Sequence, residues 1–447
     1  MLVGFAAIVS ITSVVTALTG ASVVPADIPS RPYSALADAS GSGTSSVAGS
    51  SGSVAGGTSL FGTVAQLSAA DLPAFLRGHR GELDRMLTSP PRAAEVSAAW
   101  NLLDPVRQAD LIHTAPHVVG NLEGVPYTVR GQANVLDLTQ TIRATTKRIA
   151  DEHGKAARIA LQSKLQTLDN VAKALKQRDG IPRTLVSLDT SDSARASIVI
   201  GDLASARYVS VLVPGMYMSV GEQIVDWARV AQDLHDQETE WLKRILGPRS
   251  AGVPGVATVA WIGYQTPVLT NIGGTQLATQ GADSLERTLQ GIVALRASDP
   301  PYLSVFAHSY GSTAALLALE RHTVTVDALA LMGSPGSDAQ SVAALSVSNG
   351  NVFVGQAQLD PIVHSAFFGS DPGSASYGAH RMGVDGGMDP ITHRALGGSS
   401  GHNEYFSPGT ECMRNLALIG IDKGDLVIGA ATGSSAPPTT VQAASAR

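Results

Sequence analysis

Val305-Phe306-Ala307-His308-Ser309-Tyr310-Gly311-Ser312-Thr313 is the stretch that decides the fold. The apolar run Leu303 to Ala307 predicts a strand, and Thr313 to Leu319 predicts a helix. Between them stand His308-Ser309-Tyr310-Gly311, a sharp turn with a serine at its apex. Such a turn strains the apical backbone and lifts the hydroxyl clear of the sheet, where a base and a substrate can reach it. Small residues are needed two before and two after the serine, because strand and helix pack closely there. Gly311 meets the second need. Ala307 meets the first in place of glycine.

Outward from this turn, from Ala196 onward, short apolar runs alternate with helical segments. Strands are expected at Ser197–Ile200, Tyr208–Val213, Val256–Ile262, Leu303–Ala307, Val326–Met332 and Val352–Gly355. Helices are expected at Gly221–Leu246, Ser284–Ala297, Ser312–Glu320 and about Ser337–Leu345. That alternation predicts an α/β domain, a mostly parallel sheet with helices on both faces. Its active site should lie beyond the carboxyl ends of the strands.

A serine hydroxyl needs a histidine to take its proton and a carboxylate to orient that histidine. In enzymes built on this kind of turn the partners follow in the order Ser, Asp or Glu, His. Asp360 comes just after the strand Val352–Gly355, with Asp371, Asp385 and Asp389 as reserves. His402, in the late polar loop Gly401-His402-Asn403-Glu404-Tyr405-Phe406, is the first choice of base, ahead of His364, His380 and His393. His308 is expected to make structural hydrogen bonds. An oxyanion hole needs two backbone N–H groups. Tyr310 should supply one. Met216, in Pro214-Gly215-Met216-Tyr217-Met218 after an earlier strand, should supply the other. Gly215 allows close approach there, and Tyr217 is expected to help bind an acyl or otherwise greasy substrate. No spacing suggests a metal site, and no cofactor is implied.

The preceding residues 61–193 read as helical. Ile142, Ile149, Leu165, Leu168, Ala172 and Leu175 recur at helical spacing. Trp100 to Asn134 is expected to pack on the α/β domain and partly cover the mouth near Met216 and Tyr217. The domain plan is thus an apolar segment at 1–30, a flexible Gly/Ser/Ala linker at 31–60, the helical region at 61–193, the α/β domain at 194–428 and a disordered tail at 429–447. Met1 to Val24 carries no charge and is long enough to span a bilayer at about 1.5 Å per residue. It reads as a signal peptide or membrane anchor that places the protein outside the cytoplasm or at the envelope, a cytoplasmic chain being the alternative. The net charge of -6, from 31 Lys+Arg against 37 Asp+Glu, with no basic run, argues against nucleic acid as partner. The one cysteine, Cys412, rules out an internal disulfide and reads as a packed helical thiol.

V-L-V-P-G-M at Val211–Met216, A-H-S-Y-G-S-T at Ala307–Thr313, L-M-G-S-P-G at Leu331–Gly336, Asp360-Pro361 and G-H-N-E-Y-F at Gly401–Phe406 resemble an actinobacterial α/β-hydrolase family catalogued as a domain of unknown function. Trp100-Asn101-Leu102, Val119 to Pro126, Arg130 and Asn134 resemble the helical region that often precedes it. The resemblance covers roughly Trp100 to Gly420. It implies an α/β-hydrolase fold and a triad of Ser309, Asp360 and His402, though members more often have glycine where this chain has Ala307. The expected activity is serine hydrolysis of an ester, thioester or related acyl bond, through an acyl-enzyme, on a small acyl or lipid-like substrate. Acyl transfer on the same triad, or a non-catalytic envelope-binding role, is the alternative.

Overall fold

A computed structural model describes residues 54–68, 70–176, 179–191, 193–247 and 252–429. The expected signal or anchor segment, most of the linker and the tail from residue 430 lie outside the described residues. Among the described residues no helix is long and apolar enough to cross a membrane.

The described residues open with eight helices: α1 (Val54–Gln66), α2 (Leu72–Gly78), α3 (Arg80–Thr88), α4 (Ala93–Asn101), α5 (Pro105–Thr114), α6 (Pro116–Asn121), α7 (Tyr127–Asp151) and α8 (Lys155–Ala174). α1 therefore begins within the stretch expected to be linker. Leu60, Val64, Leu72, Leu76, Trp100 and Leu111 form a core of their own among the early helices. The remaining elements are β1 (Arg183–Asp189), β2 (Arg195–Gly201), β3 (Tyr208–Val213), α9 (Val220–Leu246), β4 (Val256–Ile262), α10 (Gln276–Leu295), β5 (Tyr302–His308), α11 (Tyr310–Glu320), β6 (Ala328–Met332), β7 (Val352–Gly355), β8 (His380–Met382), β9 (Gly387–Met388), β10 (Ala395–Leu396) and α12 (Glu411–Gly420).

Eight strands form one sheet in the order β1-β2-β4-β3-β5-β6-β7-β8. β2 runs antiparallel to both neighbours, and β3 to β8 run parallel. The inner strands β2 to β7 are buried on both faces, as parallel strands beneath helices must be. One face packs on α9 and α12 through Trp227, Ala231, Met413 and Leu416. The other packs on α10 and α11 through Leu285, Leu289, Ala314 and Leu316.

Two expectations are corrected. Arg183–Asp189, expected in the helical region, is the edge strand β1, so the sheet begins before residue 194. Its residues Leu185, Val186 and Leu188 are buried between the sheet and α7, which favours an extended strand over a helix. Ser337–Leu345, expected to be a helix, is a loop with a single 3₁₀ turn at Val342–Ala344. There the Ser337 hydroxyl binds the Ala339 N–H, Ala339 and Leu345 are buried, and Val347 bridges to Val326. Tertiary contacts override the local helix preference.

The helical region is attached to the sheet through named side chains. Asn121 donates to the Leu188 carbonyl at 2.8 Å and accepts from the Leu188 N–H at 2.7 Å. Asn134 donates to the carbonyls of Gly120 and Leu185, both at 2.8 Å. Arg130, fully buried, donates to Glu123 and to the Gly120 carbonyl. Polar side chains thus satisfy the backbone of an edge strand that would otherwise expose unpaired groups. α8 buries Leu168, Val171 and Ala174 against the core that includes β1, β2 and α9.

Candidate active site

Register brings the pieces of the site together. Val213 at the end of β3 pairs with Ala307, and Met332 at the end of β6 pairs with His308. The segments that follow β3, β5 and β6 therefore leave the sheet side by side. Ser309 follows β5 with φ 54° and ψ −131°, a left-handed conformation that costs a non-glycine residue on the order of 1–3 kcal/mol. Surrounding bonds hold it there: the Ser309 N–H donates to the Met332 carbonyl at 2.9 Å, and the Ser312 hydroxyl donates to the Ser309 carbonyl at 2.6 Å. Ser309 occupies the N-cap of α11 but makes no side-chain cap.

Its hydroxyl points instead to His402. Ser309 Oγ lies 2.7 Å from His402 Nε2, and His402 Nδ1 lies 2.9 Å from each oxygen of Asp360. A carboxylate only accepts, so Nδ1 carries the proton, and Nε2 is left to accept from the serine. Asp360 is buried, which by itself raises its pKa. The hydrogen bond and charge of His402, the Tyr405 hydroxyl and the Ile362 N–H outweigh that and hold its carboxyl below the usual range.

Two further contacts complete this chain: one from Tyr405, which sequence reading did not assign, and one from His308, expected to make structural hydrogen bonds. Tyr405 Oη donates to Asp360 Oδ2 at 2.6 Å and accepts from the Ala357 N–H at 2.9 Å. His308 Nε2–H donates to the His402 carbonyl at 2.6 Å, and its ring lies 4.7 Å from the His402 ring. Burial, reinforced by repulsion from His402, lowers the His308 pKa to about 3, so the ring is neutral. The aromatic end of Gly401–Phe406 was the available signal for Tyr405. Nothing in the sequence points to Gly333, which has φ 57° and where a Cβ would stand 2.7 Å from Asp360 Oδ2 and 3.0 Å from His402.

Gly215 is a close-approach residue: a Cβ there would stand 2.6 Å from Ser309 Cβ and 3.1 Å from Oγ. Gly311 carries the same constraint toward β3, its Cβ position being 2.3 Å from the Pro214 carbonyl oxygen. Tyr310 opens α11, where its N–H has no carbonyl within the helix to bond. Its side-chain oxygen donates to the Gly274 carbonyl at 2.6 Å and accepts from the Ala278 N–H at 3.0 Å. Met216 follows Gly215 directly. Tyr217 is half exposed, with φ 59°, and its N–H donates to the Pro267 carbonyl.

The reserve residues go elsewhere. His364 pairs with Asp371 at 2.8 Å on the surface. His380 lies on β8 against Phe353. Asp389 is buried with Arg414, and His393 donates its N–H to the Asp389 carbonyl. Asp385 lies outside the Ser309 cluster, beside Glu411. Among the described residues no group of three or more His, Cys, Asp or Glu side chains could hold a metal ion. Cys412 is buried on α12, and burial pushes its thiol pKa up. The segment expected to partly cover the mouth, Trp100 to Asn134, packs on the sheet domain through Asn121 and Asn134, and it contributes no residue to the cavity beside Tyr217. Ser163, Gln166 and Thr167 of α8 face Tyr217, Met218 and Tyr264 across a cavity of about 530 Å³.

Residues 189–370 match a family model described as alpha/beta hydrolase. The uncharacterized protein Rv2079 of Mycobacterium tuberculosis is 28% identical over 377 residues, covering 74% of this chain and 56% of that protein. The uncharacterized protein Mb0988c of Mycobacterium bovis is 28% identical over 215 residues, covering 46% of this chain and 79% of that protein. The chain thus spans little more than half the length of the first of these relatives. A carboxyl esterase from Tuber melanosporum overlaps at TM-score 0.32 with 10% identity, covering 56% of this chain and 89% of its own. The esterase LipW from Mycobacterium marinum overlaps at 0.30 with 12% identity, covering 65% and 90%. Overlaps this loose add nothing to the assignment, which rests on the matched residues and on the strand order around Ser309. Residues 189–370 are thus similar to the alpha/beta hydrolases, and the domain that contains them has the α/β-hydrolase fold.

Proposed function

We propose that the chain is a serine hydrolase that cleaves an ester, thioester or related acyl bond. The observation that carries this reading is the chain of hydrogen bonds from Ser309 Oγ through His402 to Asp360, anchored on a left-handed backbone turn. In this reading Ser309 Oγ attacks the acyl carbon while its proton passes to His402 Nε2. Asp360 holds the tautomer and stabilises the imidazolium that forms. The N–H groups of Tyr310 and Met216 receive the developing oxyanion. His402 then gives its proton to the leaving oxygen or sulfur, and water, activated by the same histidine, releases the acid from the acyl-serine.

A fluorophosphonate probe tests the assignment, because it reacts with an activated serine and ignores an idle one. We expect covalent labelling of Ser309 in the full-length protein, and none in Ser309→Ala at an unchanged melting temperature. Undiminished labelling of that variant would remove Ser309 as nucleophile. A folded wild-type chain that takes no label would favour a binding protein that keeps the fold.

A further inference from the structure

Residues 214–218, which follow β3, are stitched to residues 264–269, which follow β4. Tyr264 Oη donates to the Pro214 carbonyl at 2.7 Å, and the Tyr217 N–H donates to the Pro267 carbonyl at 3.0 Å. The Met218 N–H donates to Thr266 Oγ1 at 3.1 Å, and the Leu269 N–H donates to Tyr217 Oη at 3.2 Å. The first two bonds fall on the peptides just before and just after the one that carries the Met216 N–H. That N–H itself donates to no other group among the described residues.

With both neighbouring peptides held, the middle one keeps a single freedom, a flip about the axis joining the Cα atoms of Gly215 and Met216. Met216 has a negative φ. A flip would swing it into the left-handed region, which a residue with a side chain disfavours. The direction of this N–H is therefore fixed for as long as its two ties hold. One tie is a bond between backbone groups. The other hangs on the side chain of Tyr264. That ring is buried and stacks on Trp261 with centroids 5.8 Å apart, and a Cβ on Gly281 of α10 would stand 3.0 Å from it. Burial, reinforced by Tyr310, raises its pKa, so the hydroxyl keeps the proton it donates.

We propose that Tyr264 is a positioning residue for the oxyanion hole, its hydroxyl holding the Pro214 carbonyl so that the Met216 N–H keeps one direction while charge develops beside Ser309. The proposal rests on the hydrolase reading and on Met216 as a donor within it. Close contacts put the segment at the nucleophile: a Cβ on Gly215 would meet the Ser309 side chain, and the Pro214 carbonyl lies against Gly311. A donor stabilises an oxyanion best when it has no need to turn at the moment of reaction. Tyr264 acts through the backbone, since its hydroxyl is already committed to Pro214.

Full-length Tyr264→Phe tests this, because it keeps the ring on Trp261 and removes the hydroxyl. The readouts are steady-state hydrolysis of p-nitrophenyl butyrate and the rate at which a fluorophosphonate labels Ser309 across pH. In labelling, Ser309 Oγ bonds to phosphorus, fluoride leaves and the serine proton passes to His402, while negative charge gathers on the phosphonyl oxygen. Losing one oxyanion donor outright costs about 10²–10³ in rate, so a donor that has lost an anchor should cost about ten- to a hundredfold. We expect kcat and the labelling rate to fall together by that factor, with KM within about twofold. The midpoint of the pH profile should stay in place, since His402 and Asp360 are untouched. A variant that matches wild type in both rates overturns the proposal, whether or not its melting temperature drops. So does a rise in KM at constant kcat, or a moved pH midpoint, which would put the tyrosine's effect in substrate binding or in the histidine. Should Tyr264→Phe fail to fold, Thr266→Val removes the neighbouring tie at Met218 and decides by the same pattern: lower kcat and slower labelling at constant KM support the proposal, and unchanged rates overturn it. A labelled wild type with an equally fast variant sinks this proposal alone. A folded wild type that takes no label sinks the hydrolase reading and this proposal with it.

Discussion

At the scale of single residues, the site is a set of positions whose usual freedom has been given up. Ser309 forgoes the capping bond that an N-cap serine normally makes, and its hydroxyl is held for His402. Asp360 has every oxygen committed, one of them to Tyr405. Losing a hydrogen bond to a charged group costs about 1.5–3 kcal/mol, and each factor of ten in rate is worth about 1.4 kcal/mol. Under the hydrolase reading, Tyr405→Phe should lower kcat on a dissolved acyl ester about ten- to a hundredfold with little change in KM. Steady-state kinetics checks this. A loss within about twofold would mean that Asp360 orients His402 without the tyrosine.

At the scale of elements, the turn between β5 and α11 works only because its neighbours are small. The Gly311 position is closed by backbone, the Pro214 carbonyl, rather than by a flexible side chain. Gly311→Ala should therefore destabilise by about 1–3 kcal/mol, the usual range for overpacking, seen as a lower denaturation midpoint. Ala307 differs: its methyl is fully buried in the core beneath α11. Ala307→Gly should bring no gain in activity and should cost about 0.5–1 kcal/mol through chain entropy. An increase in turnover in that variant would show that the methyl distorts the turn. The small-residue rule could be read from the sequence at both positions. The partner that enforces it at Gly311 could not, since Pro214 is almost a hundred residues away.

At the scale of the whole molecule, helices and sheet share one core on the β1 side, and that core contains a buried acid. Glu238 of α9 is fully buried, accepts from the Ser210 hydroxyl at 2.6 Å through one oxygen, and has no partner for the other. Burial raises its pKa to about 8. The folded chain therefore holds a proton that the unfolded chain, near 4.5, releases. Stability from this group is complete below pH 4.5 and is lost as pH rises toward 8. His308 acts in the opposite sense. Its pKa is lowered from 6.5 to about 3, so its contribution is present above 6.5 and is lost as pH falls through that window. Denaturant midpoints should consequently fall between pH 6.5 and 8. Glu238→Gln should flatten that decline and, by removing the opposing slope, steepen the His308-driven rise between pH 4.5 and 6.5. A variant that keeps the full decline would place its cause elsewhere.

The sequence by itself determined the periodicities, and with them the alternation of strand and helix from β2 to α11. It also determined the small-serine-small turn and the apolar stripes of α7 and α8. These are local, because a side chain's face depends only on its spacing along one element. Through a local turn and an order along the chain it pointed to Ser309, Asp360 and His402, three side chains that hydrogen-bond to one another in the fold. Only the tertiary structure decided that β1 is a strand pinned by Asn121 and Asn134, and that Ser337–Leu345 is a loop. It alone decided that α8 lines a cavity with Tyr217 and Tyr264, and that Tyr405 and Gly333 close around Asp360. Those outcomes depend on contacts between residues far apart in the chain. Such contacts are set by sheet register and by which surfaces must be buried, and neither is carried by local spacing.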